Sequence, residues 1–192
     1  ARQAAAPEQV EMLVRSLSDL AREKTGALVV VRGRDPLDRH SEGGWDLHGE
    51  LSEALIESIF DSHSLGHDGA MVIEGGRVTQ FGVHLPLSKD FSKITHMGLR
   101  HTAALGLCER SDALVLVVSQ ERGVISVGRR GGLTQIENLQ DLHRILESFL
   151  REIAPRTPRQ GLMTLLTHNT REKALALGVS ALLWFFVGHA LR

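Results

Sequence analysis

The sequence predicts an α/β fold in which a mixed β-sheet is flanked by helices on both faces, with a separate apolar helix at the C-terminal end. Stretches with apolar residues every three or four positions alternate with short β-branched runs, which is typical of a sheet covered by helices. Hairpin-like pairs of strands interrupt this alternation, so the sheet is expected to be mixed and not purely parallel. A chain of 192 residues, 42% of them hydrophobic, is long enough to bury such a core without disulfides.

The N-terminal part predicts one helix, one buried strand and a loop. Residues 8–24 repeat apolar side chains at helical spacing, so residues 1–25 are expected to form an amphipathic helix that leads into a main domain, 26–154. The β-branched run 27–31 suits a strand that is buried on both faces. The turn-rich stretch 32–49 predicts a surface loop.

The middle of the chain predicts a helix, a hairpin and a second helix. Residues 51–62 have helical spacing of their apolar side chains. Two strand-like runs, 70–73 and 78–83, are joined through adjacent glycines, which is typical of a hairpin. The apolar periodicity from about residue 92 to 109 predicts one continuous helix.

The last part of the main domain predicts a second hairpin and a final amphipathic helix. Residues 113–118 have the strongest strand pattern in the chain, and residues 123–128 are expected to pair with them in antiparallel fashion. Helical spacing returns at residues 139–153. Two prolines and several basic residues then predict a linker over residues 155–170.

Residues 171–192 differ in kind from the rest of the chain. No charged residue occurs from 174 to 187, and basic residues lie on both sides of this stretch. This pattern indicates a membrane helix, with Trp184 near one end of it. The uninterrupted apolar stretch is shorter than the roughly 20 residues that normally cross a bilayer. A buried helix that packs against protein is therefore the alternative.

The charge and cysteine content exclude some classes of protein. A net charge of −1, with basic residues scattered along the chain, gives no footprint for nucleic acid, and no nucleic-acid partner is expected. Cys108 is the single cysteine, so an intrachain disulfide is excluded and a reducing compartment is favoured. Its apolar neighbours indicate a buried, unreactive thiol.

Two short motifs carry the residues suited to chemistry. The first contains His67 and Asp68 followed by a glycine, and the second contains Arg100 and His101. A carboxylate and an imidazole suit a metal ion, while a guanidinium suits a phosphate. The same residues also suit a structural turn in which Asp68 accepts hydrogen bonds from backbone N–H groups, and both interpretations stay open on the residues alone.

The order and spacing of the motifs resemble the diadenylate cyclase domain family, from about Leu13 to Leu133. The matching segments are residues 25–31, 59–60, 67–70, 85–88, 100–106, 111–113 and 118–121. The resemblance implies an α/β/α sandwich that condenses two ATP molecules into cyclic di-AMP and releases pyrophosphate. Because one domain would hold one ATP, it also implies a homodimer or higher homo-oligomer with facing sites.

The resemblance also implies roles for individual residues. The implied catalytic residues are Asp68, Arg100 and His101. The implied ATP contacts are Gly69, Ala70, Leu85, Arg100, His101, Thr102 and Ser119. The implied ligands of a Mn²⁺ or Mg²⁺ ion are Asp68, His67 and Glu121.

Two positions depart from the family pattern, which usually reads Thr-Arg-His-Arg. This chain has Leu99 and Thr102 at the outer positions, so a hydroxyl and a guanidinium are missing there. Weaker phosphate binding or slower turnover is expected, unless another arginine compensates. The candidates are Arg110, Arg122, Arg129 and Arg130. A weak or inactive ATP or cyclic-dinucleotide binding module, or a membrane scaffold, is the alternative function.

The C-terminal part is similar to the first membrane helix of YbbR-type cyclase regulators, over residues 169–175 and 182–187. This resemblance implies a partnership with a YbbR-type regulatory region. It also implies a location at the cell membrane, with the catalytic domain on the cytoplasmic side.

Overall fold

A computed structural model describes residues 6–95 and 97–154, and these contain one seven-stranded sheet in the order β2-β4-β3-β1-β5-β6-β7. The elements are α1 (Ala6–Arg22), β1 (Ala27–Val31), β2 (Trp45–Glu50), α2 (Glu53–Phe60), β3 (Ala70–Glu74), β4 (Arg77–Val83), α3 (Phe91–Ile94), α4 (Leu99–Cys108), β5 (Leu114–Val118), β6 (Ile125–Arg129), β7 (Gly132–Gln135) and α5 (Leu139–Ile153). Strand β1 pairs in parallel with β3 and in antiparallel fashion with β5. The sheet is therefore mixed, which confirms the α/β sheet of the predicted fold class but not its C-terminal apolar helix.

Helices cover both faces of the sheet. Val29 and Val31 of β1 belong to an apolar core shared with α1, α2 and α5, whereas Leu28 and Val30 belong to a second core shared with α4. All five residues of β1 are buried, as its β-branched composition predicts. Burying each such side chain contributes about 1.5–3 kcal/mol. A slip of one residue would exchange the two faces, so burial fixes the register of the sheet.

Two predicted segments differ from the structure near the edge strand β2 and the second motif. Residues 32–49 were expected to be a loop throughout, yet Trp45–Glu50 pairs with β4 as β2. This strand is largely exposed and its register shifts between Asp46 and Gly49, so no alternation of apolar and polar residues marks it. The helix predicted over 92–109 is two helices, α3 and α4, because the helical pattern is interrupted before Gly98, the N-cap of α4.

Strand β7 was not predicted at all. It is a four-residue edge strand, Gly132–Gln135, with only one half-buried residue, Leu133. Such a strand has no buried face that would impose a period of two on its sequence.

The predicted linker 155–170 and apolar helix 171–192 lie outside the described residues and stay predictions. Within the part of the chain that the structure describes, no helix has both the length and the apolar character to cross a membrane.

Candidate active site

The sheet topology brings the two motifs together at one end of the sheet. Strand β1 lies between β3 and β5. Its first residue, Ala27, is opposite Val118, the last residue of β5. The parallel pairing of β1 with β3 places the start of β3, at Ala70, at the same end. The turns that precede β3 and follow β5 are therefore neighbours, although they are far apart in the sequence.

The first motif lies in tight turns between α2 and β3. The His67 N–H donates to the Ser64 carbonyl, and the Gly69 N–H donates to the Gly66 carbonyl. The Asp68 side chain is 79% exposed, and among the described residues its carboxylate contacts only side chains, those of His67 and Arg100. It does not cap the turn, so the structural-turn interpretation of Asp68 is not supported.

The His67 ring is oriented so that one nitrogen faces the Asp68 carboxylate. His67 Nδ1 lies 2.7 Å from the Ser64 carbonyl oxygen, which only accepts hydrogen bonds, so Nδ1 carries the proton of the neutral ring. Nε2 then presents its lone pair 3.4 Å from Asp68 Oδ2. Two electron-pair donors at this distance repel each other unless a proton or a cation lies between them. The pair therefore fits two ligands of a divalent cation, with the carbonyl hydrogen bond orienting the imidazole.

Arg100, in the first turn of α4, connects the first motif to the end of β5. Its Nη2 donates to the His67 carbonyl oxygen at 2.8 Å and lies 3.5 Å from Asp68 Oδ1. Its Nη1 is 3.4 Å from Gln120 Oε1. A positive charge is thus held beside the His67–Asp68 pair within a single chain. The N-terminal end of α4 also favours anions, because its backbone N–H groups point outward there.

His101 is a buried imidazole with an unused nitrogen. Its side chain is only 7% exposed, and Nε2 has no hydrogen-bond partner among the described residues. Burial lowers the pKa of His101, the positive charge of Arg122 lowers it further, and Glu121 opposes this change. The neutral ring is therefore favoured at neutral pH.

A cavity of about 410 Å³ opens beside the second motif and is lined by Arg100, His101, Ser119, Glu121 and Arg122, among others. A second cavity of about 480 Å³ shares Arg100 and Gln120 with it and is also lined by His67. The two cavities thus adjoin at Arg100. Arg100 lines both cavities, and its guanidinium suits the phosphate oxygens of a nucleoside triphosphate.

The structure distinguishes Arg122 from the other three arginines considered as replacements for the missing guanidinium. The Arg110 side chain donates to the Gly106 carbonyl. Arg129 and Arg130 are bound to Glu152. The exposed Arg122 guanidinium has no ion pair or hydrogen bond within residues 6–95 and 97–154, and it lines the cavity with Arg100 and His101.

Other predicted site residues lie apart from the cavities or have a structural role of their own. The Thr102 hydroxyl donates to the Gly98 carbonyl within α4, and Thr102 lines neither cavity. A Cβ added to Gly69 would lie 2.3 Å from the Gly82 carbonyl carbon, so close packing against β4 already requires a glycine. Ala70 is buried at the start of β3, and Leu85 packs against the core on the α4 face.

The three predicted metal ligands do not form one cluster. No three His, Cys, Asp or Glu side chains within the described residues are close enough together to hold a metal ion. Glu121 lines the cavity beside His101, whereas His67 lines the other cavity. The His67–Asp68 pair nevertheless fits a site of the Mg²⁺ or Mn²⁺ type, in which substrate phosphates supply further oxygen ligands.

Two contacts of Arg100 were not foreseen as parts of the site. Gly26 and Gln120 lie within the matching segments 25–31 and 118–121, but no role was predicted for either residue. A Cβ added to Gly26 would lie 2.8 Å from Arg100 Nη1. No local pattern marks either residue, because their proximity to Arg100 depends on the strand order.

Comparison with known proteins places most of the described chain in a family. A family model described as DisA bacterial checkpoint controller nucleotide-binding matches residues 14–133. The cyclic di-AMP synthase CdaS of Bacillus subtilis strain 168 is 41% identical over 121 residues, which are 63% of this chain and 58% of that protein. The diadenylate cyclase of Listeria monocytogenes strain 10403S is 33% identical over 149 residues, which are 78% of this chain and 55% of that protein.

A solved structure agrees with these matches. A crystal structure of a double cysteine mutant of DacA from Staphylococcus aureus superimposes with a TM-score of 0.71 at 30% identity, and covers 74% of this chain and 95% of that one. The chain spans little more than half the length of the two curated relatives, 58% and 55%.

Proposed function

The chain belongs to the DisA-type nucleotide-binding family and is similar to proteins named diadenylate cyclase, and we propose on this basis that it condenses two ATP molecules into cyclic di-AMP. Each ribose 3′-oxygen forms a bond to the α-phosphorus of the other nucleotide, the bond to the β-phosphate breaks, and two pyrophosphates leave. The observation that carries the proposal is the contact of Arg100 with both His67 and Asp68 beside two adjoining cavities.

The phosphates of ATP bind in the cavity beside α4. Arg100 and Arg122 supply two positive charges there, and the neutral His101 offers an N–H toward phosphate oxygens. Ser119 adds a hydroxyl. Thr102 supports the first turn of α4, because its hydroxyl donates to the Gly98 carbonyl. Phosphoryl-type transfer depends mainly on such positioning and charge stabilisation, since no covalent protein intermediate is needed.

His67 and Asp68 hold a divalent cation, Mn²⁺ or Mg²⁺, together with oxygens of the substrate. When bound, such an ion favours ionisation of the ribose 3′-hydroxyl and neutralises phosphate charge. The imidazole nitrogen among the ligands favours Mn²⁺ over Mg²⁺. Asp68 would also orient the attacking hydroxyl, and Glu121, which lines the cavity beside His101, would be a further ligand from that side. The ATP contacts proposed for Gly69, Ala70 and Leu85 rest on the family resemblance, because none of the three lines either cavity.

Two copies of the chain act together with their sites facing each other. The product contains two identical linkages, whereas one chain has a single copy of each motif, so two-fold symmetry supplies the second set of groups. A homodimer or a higher homo-oligomer built from such pairs satisfies this requirement. Analytical ultracentrifugation in the presence of ATP and Mn²⁺ tests it, and a strictly monomeric yet fully active chain would contradict it.

The protein is held at the cell membrane through residues 171–192, with the catalytic domain in the cytoplasm, where ATP is available. The support is the uncharged stretch 174–187 between basic residues. A YbbR-type regulatory region is the proposed partner at this end. Alkaline extraction of membranes from cells that produce the chain tests the anchor, and release of the protein into the soluble fraction would refute it.

The decisive experiment for the activity uses the purified chain with ATP and Mn²⁺. Cyclic di-AMP detected by chromatography, absent when EDTA is added, is the expected result. Measurable ATP binding without product would instead identify a nucleotide-binding module. If the chain neither binds ATP nor forms product, the membrane scaffold is the remaining function.

A further inference from the structure

We propose that Gly26 is a positioning residue for Arg100, an inference that rests on the proposed function of the phosphate site. Gly26 is buried immediately before β1 and lines the cavity that contains His67 and Arg100. A Cβ added to it would lie 2.8 Å from Arg100 Nη1 and 3.1 Å from Arg100 Cζ. Carbon atoms do not approach a guanidinium this closely, so any side chain at position 26 displaces that of Arg100.

The backbone at Gly26 does not itself require glycine. Its φ lies outside the left-handed region, so an alanine there would meet no backbone strain. The remaining close contact of the added Cβ is Gln120 Cβ at 3.2 Å. The absence of a side chain at Gly26 therefore leaves the space that the side chains of Arg100 and Gln120 occupy over the start of β1.

Arg100 is sensitive to such a displacement because of the way in which it is held. Its contacts with His67, Asp68 and Gln120 are all made by the terminal Nη atoms. The buried Nε has no hydrogen-bond partner among the described residues. A push on Nη1 therefore shifts the guanidinium and disturbs its contacts with the first motif, because no hydrogen bond at Nε resists the shift. Displacements of about 1 Å in a catalytic group cost up to about 100-fold in rate.

The test compares Gly26→Ala with Gly132→Ala as a matched control. At Gly132, on β7, an added Cβ meets only the Arg129 carbonyl oxygen at 3.6 Å, an ordinary contact. Gly26→Ala is expected to lower kcat/KM for cyclic di-AMP synthesis about 10-fold to 100-fold and to weaken ATP binding, with an unchanged circular dichroism spectrum. Gly132→Ala is expected to change both less than about twofold. Wild-type turnover and ATP affinity in Gly26→Ala would overturn the proposal.

A double-mutant cycle separates positioning from a general packing role. In the Arg100→Ala background, Gly26→Ala is expected to change the ATP dissociation constant less than about twofold, because the displaced group is gone. An equal loss in both backgrounds would overturn the proposal. If Gly26→Ala does not fold, recovery of the fold by adding Arg100→Ala supports it, and continued failure refutes it. A wild-type chain that binds ATP without making product removes the proposed activity but leaves this binding cycle interpretable.

Discussion

The two ends of the sheet differ in how their charged side chains are paired. At the end opposite the candidate active site, Arg32 pairs with Glu74 at 2.7 Å, and Arg129 pairs with Glu152 at the same distance. The Asp112 carboxylate there accepts hydrogen bonds from two backbone N–H groups, at 2.9 and 3.0 Å. Each of these charges has a partner of opposite charge or a backbone donor within the chain, and among the buried atoms of these described side chains only the Nε of Arg129 lacks a hydrogen bond.

At the active-site end, several polar groups have no partner of this kind. Within the described residues, Nε2 of His101 and Nε of Arg100 are buried without hydrogen bonds, and the Arg122 guanidinium is unpaired. His67 Nε2 faces a carboxylate with its lone pair. Unsatisfied polar groups cost stability unless a ligand satisfies them. The contrast teaches that one end of the sheet stabilises the fold, whereas the other keeps groups that suit the proposed anion and cation.

The largest expected effect is the loss of activity in Asp68→Asn. The amide keeps the shape of the side chain but removes the negative charge, so cyclic di-AMP synthesis should fall about 10²-fold to 10⁴-fold. Thermal stability should not change, because the side chain is 79% exposed. Asp112→Asn, at the opposite end, is the matched control and should retain turnover. Product formation by Asp68→Asn at the wild-type rate would refute the assigned role.

Arg122→Ala should raise the KM for ATP about tenfold, equivalent to about 1.4 kcal/mol, because one of two charges facing the phosphates is lost. Arg122→Lys should restore part of the affinity, since it keeps the charge without the planar guanidinium. Arg130→Ala, which removes a similarly exposed arginine bound to Glu152, should leave KM unchanged. Steady-state kinetics checks all three variants. An equal rise in the KM for ATP in Arg122→Ala and Arg130→Ala would contradict the proposed role of Arg122.

Asp112→Ala should lower the free energy of unfolding by about 1–3 kcal/mol, because the N–H groups of Arg34 and Asp35 lose their acceptor. Asp112→Asn should cost less, since one acceptor oxygen remains. Urea denaturation measures both values. If Asp112 has a purely structural role, turnover should fall only in proportion to the fraction of folded protein. A selective rise in the KM for ATP would contradict that role.

The smallest expected effect concerns the pH dependence of stability at His101. Its pKa in the folded chain lies below the ordinary value of 6.5, so the unfolded chain binds more protons between these two values. Stability is therefore fully present above about pH 6.5 and declines as the pH falls toward the folded pKa. Urea denaturation at about pH 7.5 and about pH 5.5 should show a smaller decline in His101→Gln than in the wild type. An identical decline in both proteins would show that His101 is not the group responsible.

Much of the fold could be predicted from local patterns, because burial imposes a period on the sequence. The helix over residues 139–153 and the strand over residues 27–31 have the bounds that their patterns predict. The edge strands β2 and β7 were not predicted, because they are mostly exposed and so lack such a period. The buried Cys108 is also as predicted, and burial raises the pKa of its thiol to about 12.

The sequence by itself determined which segments form the core, and it predicted which residues carry the chemistry. Asp68 and Arg100 were identified from short motifs and a family resemblance, and they lie 3.5 Å apart in the structure. Only the tertiary structure decided that Arg122 lines the cavity beside α4 and that the absence of a side chain at Gly26 leaves room for Arg100. The physical reason is that periodicity reports how a residue is buried, whereas proximity between distant segments depends on the strand order that places β1 between β3 and β5.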